Sequence, residues 1–187
     1  MKTILVVTGS VRPRSANANV VPEVVNALTK QGVGVNIADL AVLAMPFFDA
    51  QVPPSDPSFA PEHESVKQWT KMVVDADGVV LVTPEYNHTM SPVQLNAIDW
   101  IGKEWERKPV ALVGYGWRSG ATQAHATARE ALAVNLKARV GDSQANLYFM
   151  KELNADGTVA DREAFERKVD AALNELLELC DTNKSAL

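Results

Sequence analysis

Thr3-Ile4-Leu5-Val6-Val7-Thr8-Gly9-Ser10-Val11-Arg12-Pro13-Arg14-Ser15-Ala16-Asn17 is the stretch on which the reading of this chain turns. Its first six residues are β-branched or aliphatic, and Gly9 ends the run. A continuous apolar segment of this length suits a strand buried on both faces. A polar loop follows. From Ser15 to Lys30, Val20, Val21, Val24, Val25 and Leu28 recur at helical spacing. A buried strand leading through a polar turn into an amphipathic helix opens a βαβ unit, so the neighbouring strand is expected to be parallel.

The alternation continues outward from this stretch. Val35 to Asp39 reads as a second strand, Glu62 to Ala76 as a helix with Val66, Trp69 and Val73 inward, and Gly78 to Thr83 as a third strand. Ser91 to Lys103 is helical, Pro109 to Tyr115 a strand, Ser119 to Leu136 an Ala-rich helix and Gln144 to Phe149 a weaker strand. Phe165, Val169, Leu173, Leu176, Leu177 and Cys180 stripe a last helix. Residues 46–61 hold five of the ten prolines, too dense for a ladder or helix, so a long loop is expected there. The order predicts a single α/β domain over residues 1–180, a parallel sheet with helices on both faces, and a frayed tail over 181–187. In such sheets ligands bind beyond the carboxyl ends of the strands, which singles out the loops 9–17, 84–92 and 114–120.

At 187 residues and 47% hydrophobic composition, one domain with a sizeable core is the ordinary expectation. Net charge is −5, with no basic stripe, which argues against a nucleic-acid partner. The longest apolar run is far short of a membrane span. Cys180 is the single cysteine, and Met1-Lys2-Thr3 runs straight into strand-like sequence. A reducing, cytoplasmic setting fits both.

The first loop offers the hydroxyls of Ser10 and Ser15, the planar fork of Arg12 and the amides that open the following helix. Together these suit a phosphate monoester. The competing reading is a polar turn in which Ser15 only caps the helix. No Gly-Lys-Ser/Thr follows, so this is not a Walker loop. The third loop, Gly114-Tyr115-Gly116-Trp117-Arg118-Ser119-Gly120, misses the dinucleotide fingerprint by one residue of spacing. Its glycines suit either close approach of a flat ligand or a plain strand-to-helix turn. The middle loop carries Tyr86, an apolar plate with a polar tip, and Asn87, whose amide could meet a uracil-like ring edge.

Ser10-x-Arg12 with Ser15 and Asn17, and Thr83-Pro84-Glu85-Tyr86-Asn87 followed by Asn96-Ala97-Ile98-Asp99-Trp100, resemble the phosphate loop and flavin-ring motif of the NADPH-dependent FMN reductase family. The similarity spans roughly residues 3 to 150. It implies a flavodoxin-like, doubly wound sheet of five strands in the order 2-1-3-4-5. It implies non-covalently bound FMN, with NADPH or NADH as donor and free flavin, a quinone, chromate or an azo compound as acceptor. By resemblance Ser10, Arg12, Ser15, Ala16 and Asn17 hold the phosphate. Pro84, Glu85, Tyr86 and Asn87 line the isoalloxazine, largely through backbone amides, and Gly116, Trp117, Arg118, Ser119 and Gly120 flank it. Arg118 is a candidate partner for a 2′-phosphate. The resemblance also implies a homodimer or homotetramer, which would cover Met45, Phe47, Phe48 and Phe59, with the helix carrying Trp100 and Trp105 at the interface. Two departures stand out: Ser91-Pro92 and Gln94-Leu95 in the second motif, and Trp117-Arg118 in the third loop. No side-chain acid or base is expected to carry the chemistry. The alternative function on this fold is a single-electron carrier that does not oxidise NAD(P)H.

His88 reads as a solvated loop residue, and His63 and His125 as helix-surface residues. No cluster has metal-ligand spacing. Cys180 lies on an apolar stripe and is expected to be buried and inert.

Overall fold

The computed structural model describes residues 1–184. Five strands, β1 (Thr3–Thr8), β2 (Gly34–Ala38), β3 (Gly78–Pro84), β4 (Pro109–Gly116) and β5 (Arg139–Tyr148), form one sheet. All pairs are parallel and the order is β2-β1-β3-β4-β5. This is the expected flavodoxin-like topology.

Strand alternation explains the two layers. Ile4, Val6, Val80, Val82, Ala111 and Val113 point to one face, where they pack with Val20, Val24 and Leu28 of α1 (Asn17–Lys30) and Phe165, Val169 and Leu173 of α6 (Arg162–Lys184). Leu5, Val7, Val79, Leu81, Val110 and Leu112 point to the other. There they meet α2 (Leu40–Leu43), α3 (Glu64–Asp75), α4 (Pro92–Asp99) and α5 (Thr122–Arg129). Each fully buried aliphatic side chain contributes about 1.5–3 kcal/mol, and the central strands bury on both sides. No described helix is long and apolar enough to cross a membrane.

Several boundaries differ from expectation. α1 begins at Asn17 rather than Ser15, because the chain first makes a turn in which Ser15 N donates to Arg12 O. β5 begins five residues early, at Arg139. It is an edge strand, so its polar first half lacks an aliphatic signal. Glu175 of α6 accepts from the amides of Asp142 and Ser143 at 2.8 and 2.6 Å. The short α2 lies between the expected second strand and the Pro-rich loop, in a stretch given no element from sequence, and is capped by Asp39, whose side chain accepts from Ala41 N. α5 gives way to a wider π-type turn over Glu130–Asn135. α6 continues past residue 180 to Lys184, with Arg139 donating to Leu179 O and Thr182 Oγ1. The end of the expected frayed tail, residues 185–187, lies outside the described residues.

Candidate active site

The carboxyl ends of β1, β3 and β4 meet at one edge, and the loops after them form the site. Gly9 is what allows β1 and β3 to close there. A Cβ on Gly9 would lie 2.2 Å from Val82 O and 2.5 Å from Pro84 Cδ. Beneath this point is Gln94, one of the departures from the family pattern. It is buried and donates to Val7 O and Val82 O at 3.3 and 3.2 Å, while Thr83 Oγ1 donates to its carbonyl. It ties the ends of the two strands from below. The other departure, Ser91-Pro92, starts α4: Ser91 caps it by accepting from Gln94 N, and Pro92 occupies the first turn.

The first loop is open. α1 has no side-chain cap and no acidic residue in its first turn, and its N-cap is Ala16. Its leading amides and the positive end of its dipole therefore face the loop without an internal anion. Arg12 is exposed and forms no ion pair among the described residues; its guanidinium lies 5.9 Å from the Tyr86 ring centroid. Ser15 is half-buried beside it. Ser10 Oγ is 2.8 Å from Tyr86 Oη and accepts from Arg12 N. Asn17 has a different role from Arg12. It is buried, and its Oδ1 accepts from Gly9 N at 3.3 Å and from Tyr115 Oη at 3.4 Å. It braces the loop from inside. Burial pushes the Tyr115 phenol up, so it serves as a donor at neutral pH.

The middle loop is a tight turn. Tyr86 N and Thr89 O pair at 3.0 Å, as do Thr89 N and Tyr86 O, with Asn87 at φ 50° and His88 at φ 63°. Two consecutive left-handed residues define a type I′ turn, in which Asn is favoured. Glu85 N donates to Tyr115 O. Two of the backbone amides expected for a ring edge, those of Glu85 and Tyr86, are thus already paired within the protein. Asn87 and His88 are left to supply donors. His88 points to solvent, 3.7 Å from Glu85 Oε1.

Glu85 locks the middle loop to the third. Its carboxylate accepts from Ser119 Oγ, from Gln123 N at 3.0 Å and from Ala124 N at 3.3 Å. It therefore caps α5 from another loop, a role that sequence could not reveal because the contact spans more than thirty positions. In the third loop Gly116 lies against Glu85, and Gly120, at φ +57°, lies against the Tyr148 ring. Arg118 is exposed, and Trp117 is 61% exposed.

His125 corrects an expectation. It is fully buried rather than on a helix surface, and it sits under Gly114, where a Cβ would come within 2.4 Å of its Nε2. Among the described residues neither ring nitrogen has a partner in hydrogen-bonding geometry, although Asn146 and Gln144 lie alongside. Desolvation pushes its pKa down to about 4, so it is neutral at pH 7. His63, by contrast, is on the surface at the N-cap of α3, close to Asp49. Cys180 is buried as expected, and burial pushes its thiol up to about 11.

Asn96 and Trp100, from the second half of the flavin-ring motif, hold the long loop. Asn96 Nδ2 and Trp100 Nε1 both donate to Pro46 O at 2.8 Å, and Phe48 N donates to Asn96 Oδ1 at 2.9 Å. Trp100 and Trp105 are buried in the core of their own chain. A wall of the site that sequence missed is the segment after β5. The site of a Cβ on Gly157 is 2.4 Å from Ala16 Cβ, and Asn19 Nδ2 donates to Asp156 O. Its only local signal was the turn sequence Asn154-Ala155-Asp156-Gly157.

A doubly wound parallel sheet in the order β2-β1-β3-β4-β5 defines a flavodoxin-like protein. Residues 2–152 match the model of the NADPH-dependent FMN reductase family, and the chain belongs to that family. It is 30% identical over 156 residues to an NAD(P)H-dependent FMN reductase of a Nectria species, a match spanning 80% of this chain and 76% of that protein. It is 27% identical over 128 residues to NADPH:quinone oxidoreductase of Arabidopsis thaliana, 65% of this chain and 63% of that one. Among solved structures it resembles FerB, a flavoenzyme NAD(P)H:(acceptor) oxidoreductase of Paracoccus denitrificans, with a TM-score of 0.74 at 24% identity. That likeness covers 95% of this chain and 98% of FerB. The chain is thus an FMN-dependent oxidoreductase drawing on NAD(P)H, and the electron-carrier alternative is not favoured.

Proposed function

We propose that residues 1–180 act as one FMN-binding domain that moves electrons from NADPH or NADH to a quinone or related small acceptor in the cytoplasm. The observation that carries this reading is the uncapped N-terminus of α1 beside an Arg12 without an ion pair among the described residues. These residues fit a phosphate monoester: Ser10, Arg12, Ser15 and the amides near Ala16 and Asn17 would hold it, with Asn17 bracing from inside. Pro84, Tyr86 and Asn87 would border the ring, with Gly116, Ser119 and Gly120 beside it. Bound FMN supplies the redox chemistry, taking two electrons from NAD(P)H and yielding them to the acceptor. The protein holds the ring and leaves one face open. Donor and acceptor then use the same space in turn, which is a ping-pong order. Neither Glu85, engaged in capping, nor solvent-facing His88 is placed to act as a required acid or base. Arg118 is available to a 2′-phosphate.

We also propose a homodimer, or a pair of dimers. Met45 and Phe59 pack on their own core, but Val42 and Phe47 are 79% and 77% exposed and Phe48 is only half-buried. Such a patch is better covered by a second copy.

Arg12→Ala tests the site. Loss of a charge-assisted contact should lower FMN affinity about ten- to a hundredfold, with the melting temperature of the apoprotein unchanged. Riboflavin, lacking the phosphate, should bind the parent protein far more weakly. Equal FMN affinity in the variant would refute the assignment.

A further inference from the structure

The third loop presents one large aromatic side chain, Trp117, at the open rim of the candidate site. Trp117 is 61% exposed, yet it is not loose. Its ring lies 4.8 Å from that of Phe149, tilted by 33°. Phe149 in turn meets Tyr115 edge-on at 5.9 Å, and Tyr115 Oη donates to Asn17. Three aromatic rings therefore form a ladder from the inner end of the first loop to the open rim of the third.

The backbone on either side of Trp117 is fixed as well. A Cβ on Gly116 would lie 3.3 Å from Glu85 Cβ, and one on Gly120 would lie 2.6 Å from the Tyr148 ring, so both glycines lie in close contact with their neighbours. Ser119 between them is bonded to Glu85. Keeping an indole in water is unfavourable. A rigid indole, with few torsions left to order, is also a good platform for a flat partner, because little entropy is lost when that partner stacks.

We propose that Trp117 determines acceptor specificity by stacking on planar, electron-poor acceptors of two fused rings, favouring a naphthoquinone over a benzoquinone. The proposal rests on the placement of FMN at this edge of the sheet. The indole face is electron-rich and a quinone ring is electron-poor, so offset stacking between them is electrostatically favourable as well as apolar. Phe149 covers one side of the indole and leaves the other to the acceptor. A second fused ring adds area that an aromatic at the rim can cover.

Two measurements on the FMN-loaded protein test this. The first is the KM for menadione, 1,4-benzoquinone and ferricyanide at saturating NADPH, in the parent, Trp117→Ala and Trp117→Phe. The menadione KM should rise roughly three- to tenfold in Trp117→Ala relative to the ferricyanide KM, as expected for one lost stacking contact. The benzoquinone KM should rise less, and Trp117→Phe should recover most of the loss. The second is tryptophan fluorescence without NADPH. Of the four tryptophans, Trp69, Trp100 and Trp105 are buried, so Trp117 supplies the solvent-exposed emission. Menadione should quench that emission in the parent and not in Trp117→Phe. An equal KM rise for all three acceptors, a flat menadione KM, or quenching that persists in Trp117→Phe would overturn the proposal. If the parent takes up no FMN, the placement of the cofactor fails with it. If FMN binds and ferricyanide is reduced while the menadione comparison stays flat, only the role of Trp117 fails.

Discussion

The first loop and the pair formed by the middle and third loops sit side by side at the same sheet edge, but they spend their polar groups differently. In the first loop, Arg12 forms no ion pair among the described residues, and no side chain caps α1. In the other pair, Glu85, Ser119, Tyr86 and Thr89 satisfy one another. In the proposed function the first loop therefore receives charge from a ligand. The second pair is built to keep its shape and offers mainly surfaces and a few donors. Function depends on both: one anchors, the other holds a fixed wall.

The largest expected effect comes where the two regions touch. Gly9→Ala drives a methyl into Val82 O and Pro84, both backbone-constrained, and should cost about 3 kcal/mol. Chemical denaturation should show a lower midpoint with an unchanged slope. A variant as stable as the parent would mean that the β1 and β3 ends are not as tightly joined as described.

Acid should separate the two regions. His125 is held neutral under the third loop, with its pKa lowered from about 6.5 in the unfolded chain to about 4. Its contribution is therefore constant above about pH 6.5. As pH falls from there toward 4, the unfolded state gains the proton first and stability drops by about 3 kcal/mol. In His125→Leu this part of the acid slope should vanish. Urea unfolding at pH 7.5 and 4.5 measures it, and an identical slope in the variant would place the acid sensitivity elsewhere.

Glu85→Gln keeps the shape but presents an amide to three donors. We expect a loss of about 1.5–3 kcal/mol in local stability. It should appear as faster hydrogen exchange at Gln123 and Ala124. Flavin reduction by NADPH should fall by less than about a hundredfold, the lower bound for losing a true general base. Amides of the first loop should be unaffected.

The smallest effect concerns the turn itself. His88 holds a left-handed conformation that glycine adopts freely, so His88→Gly should stabilise the protein by up to about 1 kcal/mol. Reduction of the flavin should stay within a few-fold of the parent in stopped-flow measurements. A loss above a thousandfold would reveal a proton donor at this position.

Some of this was legible in the chain alone, for a physical reason. The aliphatic runs of β1, β3 and β4 and the helical stripes of α1, α3 and α6 are local patterns, and burial on both sheet faces demands them. They were enough for the parallel sheet. The composition of residues 9–17 likewise motivated the proposed anion site. What only the tertiary structure decided are contacts between distant residues. Gln94 reads as a polar helix residue until β1 and β3 bring two carbonyls over it. His125 reads as exposed until Gly114 leaves room for its ring. Asn96 and Trp100 read as part of a flavin motif, but they clamp Pro46. Glu85 became a cap only when β4 placed α5 beside it. Polar side chains take their roles from partners that the sequence does not place next to them, whereas apolar periodicity carries its own instruction.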